Sequence, residues 1–306
     1  MKAWVKLSLT AFFWAGAFFA GKAAVTIAPP VMAAFLRFFM AGILFLILAH
    51  NQGAFREVRG TLWLNILVLA FVGIFLYNLF FFYGISLTST TNGSLIAGAN
   101  PAVTALLSFV FRGERLAGRR WLGIFISFLG VVLVISQGSL EVLLHMKMNP
   151  GDLLIVCAAT CWAIYSILGR DVMRRISPLA ASAFACYLGS IMLFPAALAT
   201  TDQVSWRSDW MFWLEVAYMA IFASVLAYKW WYEGVLEIGA SRSAVYVNLV
   251  PVFVMLLNVF MGHFPSEAQL GGAALVLFGV YLTSGNIQRA GKERMASSTE
   301  SNTASN

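Results

Sequence analysis

The sequence predicts an all-helical integral membrane protein, with ten transmembrane helices arranged as two inverted five-helix repeats around a central cavity. Three observations predict it. Of the 306 residues, 60% are hydrophobic and only 11% are charged, against about 45–50% and about 25% for a soluble domain. Apolar runs long enough to cross about 30 Å of hydrocarbon as helix recur ten times along the chain. The second half of the chain also repeats the first.

The ten runs are 4–23, 30–49, 62–83, 92–111, 119–137, 152–170, 179–199, 211–232, 241–262 and 267–287. The first could be mistaken for a secretion signal, but its pattern recurs mid-chain where no signal peptidase acts, so it is read as a retained span. The second holds Arg37 about eight residues, or about 12 Å, into the span. The third carries Tyr77 and Asn78, and the fourth carries the Asn100–Pro101 pair. The short links "ISLTSTTNG" and "LEIGASRS" before the fourth and ninth runs are rich in residues that cap helices. The eighth run ends in "AYKWWY" and the ninth holds Asn248 and Pro251. Period-2 alternation is missing throughout, which argues against a transmembrane barrel. The polar, Ser/Thr-rich stretch from Gly291 to Asn306 reads as a disordered tail.

The formal net charge is +7. Sorted by membrane side, fifteen of the twenty Lys and Arg residues share the side of the N-terminus. Lys22, Lys147 and Arg207 fall on the other side, and Arg37 and Lys229 lie within spans. This asymmetry places both termini in the cytoplasm and makes the basic balance a matter of topology, not of nucleic-acid binding. The three cysteines fall within spans and give no disulfide framework.

Sliding the chain by 148 residues brings Trp14 onto Trp162, Lys22 onto Arg170 and Pro30 onto Pro178. A slide of 150 brings Gly84 onto Gly234 and Pro101 onto Pro251, and one of 149 brings Gly123 and Gly130 onto Gly272 and Gly279. Five spans per copy is odd, so the second copy enters from the opposite side. An inverted repeat of this kind can exchange the conformations of its halves, which predicts a transporter working by alternating access with its site near the midplane.

The chain resembles the EamA-type members of the drug/metabolite transporter superfamily over about residues 5 to 288. The resemblance rests on "RFFMAGILFL", on "YGISLTSTTNGSLIAGANPAVTALLSFVFRGERL", on "LAYKWWYEGVLEIGASRSAVYVNLVPVFVMLLNVF" and on "SEAQLGGAALVLFGVYL". It implies two EamA-like repeats (1–143 and 144–288), a cytoplasmic tail (289–306), and a cavity walled by helices 1, 3, 4, 6, 8 and 9. It also implies export of amino acids, other metabolites or toxic compounds from bacterial cells across the inner membrane. Glu114 after helix 4 fits the family pattern, whereas Glu267 sits two residues late after helix 9.

The residue types suit a neutral or zwitterionic cargo. Trp14 and Trp162 lie mid-membrane at matching repeat positions, where an indole N–H wants a partner or a cavity. Asn100 and Asn248 neighbour prolines that free a backbone carbonyl, which makes them candidate linings and makes Pro101 and Pro251 candidate hinges. Tyr77, Asn78, Tyr165, Tyr228 and Tyr246 complete the candidate substrate site. Lys229 lies about 26 Å along its helix, close enough to the interface to snorkel. It therefore reads as an anchor with Glu233 and Glu237 on the same face and an aromatic belt in Trp230, Trp231 and Tyr232, or else as a cytoplasmic gate. Arg37 reads as a structural residue on a peripheral helix, bonded to carbonyls or a carboxylate, with substrate contact as the alternative.

No Asp or Glu reaches mid-membrane, so a carboxylate proton relay is unsupported. The chain has neither a P-loop nor an H-E-x-x-H motif. No enzyme activity, cofactor or metal is expected. The expected partners are a small-molecule substrate and the lipid bilayer, with the chain a monomer or homodimer. Two rival functions stay open: an antiporter of nucleotide sugars or phosphorylated metabolites, and a membrane scaffold that transports nothing.

Overall fold

The structure is a computed structural model that describes residues 1–113, 117–141, 149–200, 209–238, 243 and 246–284. It is helical, with no strand among the described residues. The helices are α1 (Ala3–Ile27), α2 (Pro30–Asn51), α3 (Leu62–Leu69, Ala70–Leu76 and Tyr77–Leu87 in continuity), α4 (Thr90–Gly98, then Asn100–Arg112) and α5 (Gly118–Ile135). They continue as α6 (Pro150–Val172), α7 (Pro178–Leu198), α8 (Trp210–Ala220, Ile221–Leu226 and Ala227–Ile238 in continuity), α9 (Leu249–Phe260) and α10 (Glu267–Ser284). Among the described residues, eight helices, α1 to α8, are long and apolar enough to cross a membrane, and the apolar helices α9 and α10 are shorter. The tail from Gly291 and residues 239–242 of "LEIGASRS" lie outside the described residues.

Local chemistry sets the helix starts. Proline occupies the first turn of α2, α6 and α7, where its missing N–H is no loss. The Ser89, Asn149, Ser177 and Asp209 side chains each accept a backbone N–H at the start of the following helix. Ser266 and Gln269 cap α10 reciprocally, each side chain accepting the other residue's N–H.

The exterior is apolar and the polar groups are inside. Phe111, Phe128 and Phe260 are exposed, while Arg37, Asn78 and Asp152 are buried. That inversion suits hydrocarbon as the solvent.

The helices that carry matching glycines, α5 and α10, meet each other. A Cβ on Gly130 would lie 2.9 Å from the Gly272 carbonyl, and one on Gly279 would lie 2.5 Å from the Gly123 carbonyl. Rising numbers in α5 thus meet falling numbers in α10, so the two helices run antiparallel with their backbones in near contact. The same holds for α4 and α9, where Gly98 meets Pro251 and Thr90 meets Asn258. Gly84 of α3 is filled against Ile155 of α6, and Gly234 of α8 against Leu7 of α1.

Two helices carry a π-helical turn that the sequence reading did not foresee, Ala70–Leu76 in α3 and Ile221–Leu226 in α8. A π turn widens the helix by one residue and frees backbone carbonyls for other partners. α4 is interrupted at Ala99, two residues before Pro101, and Asn248 forms a turn just before α9.

Candidate functional site

A central cavity lies where α1, α2, α3, α4, α6 and α8 converge with the start of α9. Five of the sequence-predicted residues line it: Trp14, Tyr77, Asn100, Trp162 and Tyr228. Trp162 is the hub, its ring centroid 5.7 Å from that of Trp14, 5.5 Å from Tyr77 and 5.8 Å from Tyr228. The Trp14–Trp162 pair meets edge to face at 81°, a favoured arrangement for aromatic rings.

The two tryptophans differ in one respect. The Trp14 indole N–H donates to the Ala223 carbonyl at 3.1 Å, a group presented by the π turn of α8. The Trp162 indole N–H has no hydrogen-bond partner among the described residues. Asn100 bridges helices, its Nδ2 donating to Ala159 O at 2.8 Å and its Oδ1 accepting from Thr104 at 3.1 Å.

Four predicted residues stand off the cavity. Asn78 is buried with its Nδ2 donating to Ile74 O of its own helix, a carbonyl within the π turn of α3. Tyr165 packs on Trp162 at 5.5 Å but turns its hydroxyl to Tyr232 at 3.0 Å. Tyr246 is half-buried outside the lining, and Asn248 is buried with its Oδ1 unpartnered among the described residues, although its neighbours Val247 and Val250 reach the cavity. Pro251 is buried against Gly98, Pro101 is half-buried, and Lys229 is exposed at the far side of α8.

Three expectations need correcting. Trp230, Trp231 and Tyr232 do not form an interfacial belt. Trp230 stacks on Phe13, Trp231 packs on Trp14 at 5.4 Å, and Tyr232 is buried. They follow Tyr228 within one turn of a helix packed tightly on α1, so they face protein. Glu233 does not pair with Lys229; it binds Lys6 of α1 at 2.8 Å, for the same reason. Arg37 is not peripheral but lines the cavity, 5% exposed, with its Nε donating to Ser224 Oγ at 3.1 Å. Phe18 and Phe81 also line the site and were missed. Their spacing of four from Trp14 and Tyr77 was the available signal.

A model of the EamA-like transporter family matches the chain twice, over residues 2–136 and 149–285. The chain belongs to that family. It is 37% identical to an uncharacterized transporter, YyaM, of Bacillus subtilis, over 81% of this chain and 82% of that one. It is 24% identical to a probable terminal-alkyne amino-acid exporter of Streptantibioticus cattleyicolor, over 67% of this chain and 66% of that one. A solved crystal structure at 22% identity shares the fold, with a TM-score of 0.66 and coverage of 90% of this chain and 95% of that one.

In this EamA-like transporter polar contacts tie neighbouring helices together toward both ends of α1, on either side of Trp14. At the α3–α4 end, Lys22 donates to the carbonyls of Ile85, Ser86 and Thr88, at 2.8, 3.1 and 2.7 Å. The fully buried Asp152 accepts from the Thr88 hydroxyl, and Asn92 ties in Gln269 of α10 at 2.6 Å. At the other end stand the Lys6–Glu233 ion pair and the Tyr165–Tyr232 hydrogen bond. The free space of the cavity is about 70 Å³, room for about two waters at roughly 30 Å³ each. Ligand pockets run to roughly 300–1,000 Å³, so a cargo requires the rings to part.

Proposed function

We propose that the protein exports small organic metabolites, amino acids and aromatic ones foremost, by alternating access in a bacterial-type inner membrane, with both termini cytoplasmic. The observation that carries this reading is the cavity itself, where the repeat-related Trp14 and Trp162 meet among Tyr77, Tyr228 and Asn100. Two five-helix units, 1–143 and 144–288, enclose it. Support for their inverted relation comes from the antiparallel contacts of α5 with α10 and of α4 with α9. It also comes from the exchange of Gly84–Ile155 for Leu7–Gly234 across the halves. The amino-acid exporter among the relatives supports the cargo class.

Alternating access then means that one polar end releases while the other holds. Freeing Thr88 from Lys22 and Asp152 opens the α3–α4 end, and parting Lys6 from Glu233 opens the other. The antiporter of nucleotide sugars ranks below this reading, because phosphates call for several cations and Arg37 is the single cationic side chain among the lining residues.

The test is counterflow of labelled amino acids and nucleotide sugars in proteoliposomes. Amino-acid counterflow that is lost in Trp162→Ala, with the variant still folded, is the expected result. Nucleotide-sugar flux in its place would move the protein to the antiporter class. Silence from both cargo classes in folded wild type would leave the scaffold.

A further inference from the structure

Arg37 poses a problem of charge. The side chain is almost wholly buried, and no acidic group among the described residues pairs with it. Its one hydrogen bond is from Nε to Ser224 Oγ, and Nη1 and Nη2 have no hydrogen-bond partner among the described residues. A guanidinium holds its charge where an ammonium would give it up. A buried cation with unused donors is costly and persists where something else neutralises it.

The π turn of α8 fixes how Arg37 is presented. Ser224 Oγ donates to Met219 O, five residues back, at 3.0 Å, which leaves its lone pair for Arg37 Nε. With Nε held there, the paired Nη groups remain free as a fork. Two parallel N–H groups match the two oxygens of a carboxylate. The other lining side chains are aromatic, aliphatic or amide, with no second cation and no acid. One guanidinium balances one negative charge, whereas a phosphate monoester brings close to two.

We propose that Arg37 is the receptor for a substrate carboxylate: the cargo is a monocarboxylic acid or amino acid whose carboxylate seats on the Nη fork, with its apolar part among Trp14, Tyr77, Trp162 and Tyr228. This rests on the transporter reading and narrows its substrate class. The carboxylate is required. The amino group is not, because no lining acid receives it and only ring faces and the Asn100 amide oxygen are there to meet an ammonium.

The test uses purified full-length protein and two ligand ladders, tryptophan, indole-3-propionate, tryptophan amide and tryptamine, and then leucine with leucine amide. Binding is read from the ligand-induced rise in unfolding midpoint, and flux from counterflow in proteoliposomes. The two indole acids, or leucine, should act at concentrations at least about tenfold below their amides or amine, as expected where a built charge partner is left empty by the analogue. Arg37→Gln should erase that gap while leaving residual binding of the amides unchanged. Should Arg37→Gln fail to fold, the wild-type ladder decides by itself. Equal action of acid and amide in wild type, or an intact gap in folded Arg37→Gln, overturns the assignment and leaves the exporter reading standing. Preference for phenyl phosphate over the acids overturns it as well. Absence of both binding and flux for every probe, in folded protein, sinks both readings.

Discussion

The two π turns occupy matching places in the two halves yet are used differently. In α3 the side chains of other helices pack upon the turn, and its Ile74 carbonyl is bonded only from its own helix, by Asn78: a Cβ on Gly73 would meet the Tyr165 ring at 2.0 Å, and one on Gly189 would meet Ile74 at 2.4 Å. In α8 the turn is bonded to, its Ala223 carbonyl by Trp14 and its Ser224 hydroxyl by Arg37. The contrast extends outward. Trp14 has a partner for its N–H and Trp162 has none among the described residues, while Lys22 caps α3 and its counterpart Arg170 is exposed. The lesson is that two stretches matched by one family model use equivalent positions for different contacts. On the transport reading proposed above, groups with an internal partner hold the frame, and their mates without one meet the cargo.

That comparison can be broken at its symmetric part first. Gly130→Leu and Gly272→Leu should both abolish folding, at a cost above about 4 kcal/mol, since backbone atoms leave the new side chain no place to go. Size-exclusion profiles in detergent check this, and a tolerated leucine in either half would mean that the α5–α10 contact is not shared equally. Next come the tryptophans. Trp162→Phe should reduce counterflow about tenfold with little change in thermal stability, while Trp14→Phe should lower stability by about 1 kcal/mol by orphaning the Ala223 carbonyl. If the two variants behave alike, the division of labour between them is wrong. Third, Lys22→Met should cost about 1 kcal/mol through loss of a cation at a helix C-terminus. Arg170→Met should cost less than about 0.5 kcal/mol, as exposed positions usually do. Unfolding midpoints of the pair decide it. The smallest effect is at Asn248, whose buried Oδ1 has no partner among the described residues. Asn248→Leu should leave stability within about 0.5 kcal/mol of wild type or raise it, because an unsatisfied acceptor is removed, whereas a clear loss would reveal an unseen bond.

The spans were legible because apolar length and helix-start chemistry are local. The expected runs 30–49 and 179–199 became Pro30–Asn51 and Pro178–Leu198, each opened by a proline. The pairing of Trp14 with Trp162 was legible because both the repeat and their depth pointed to one place. The π turns were not, since one extra residue in a helical turn leaves an apolar run unbroken. Nor was the rotation of each helix about its axis. That rotation decides that Arg37 points at the cavity, that Asn78 turns back to Ile74, and that Trp231 lies against Trp14 instead of in a headgroup layer. Such choices are settled by contacts between distant parts of the chain, which no window of sequence contains.

The glycine contact of α5 with α10 has a consequence for assembly. Backbones that touch without intervening side chains recognise each other by shape, and that shape survives if the covalent link between the halves is cut. Two separately expressed pieces, divided between residues 136 and 149 where the two family matches part, should find each other in the bilayer and rebuild the whole protein. The joining segment would then be a tether for efficient pairing, and the glycines the true fastening.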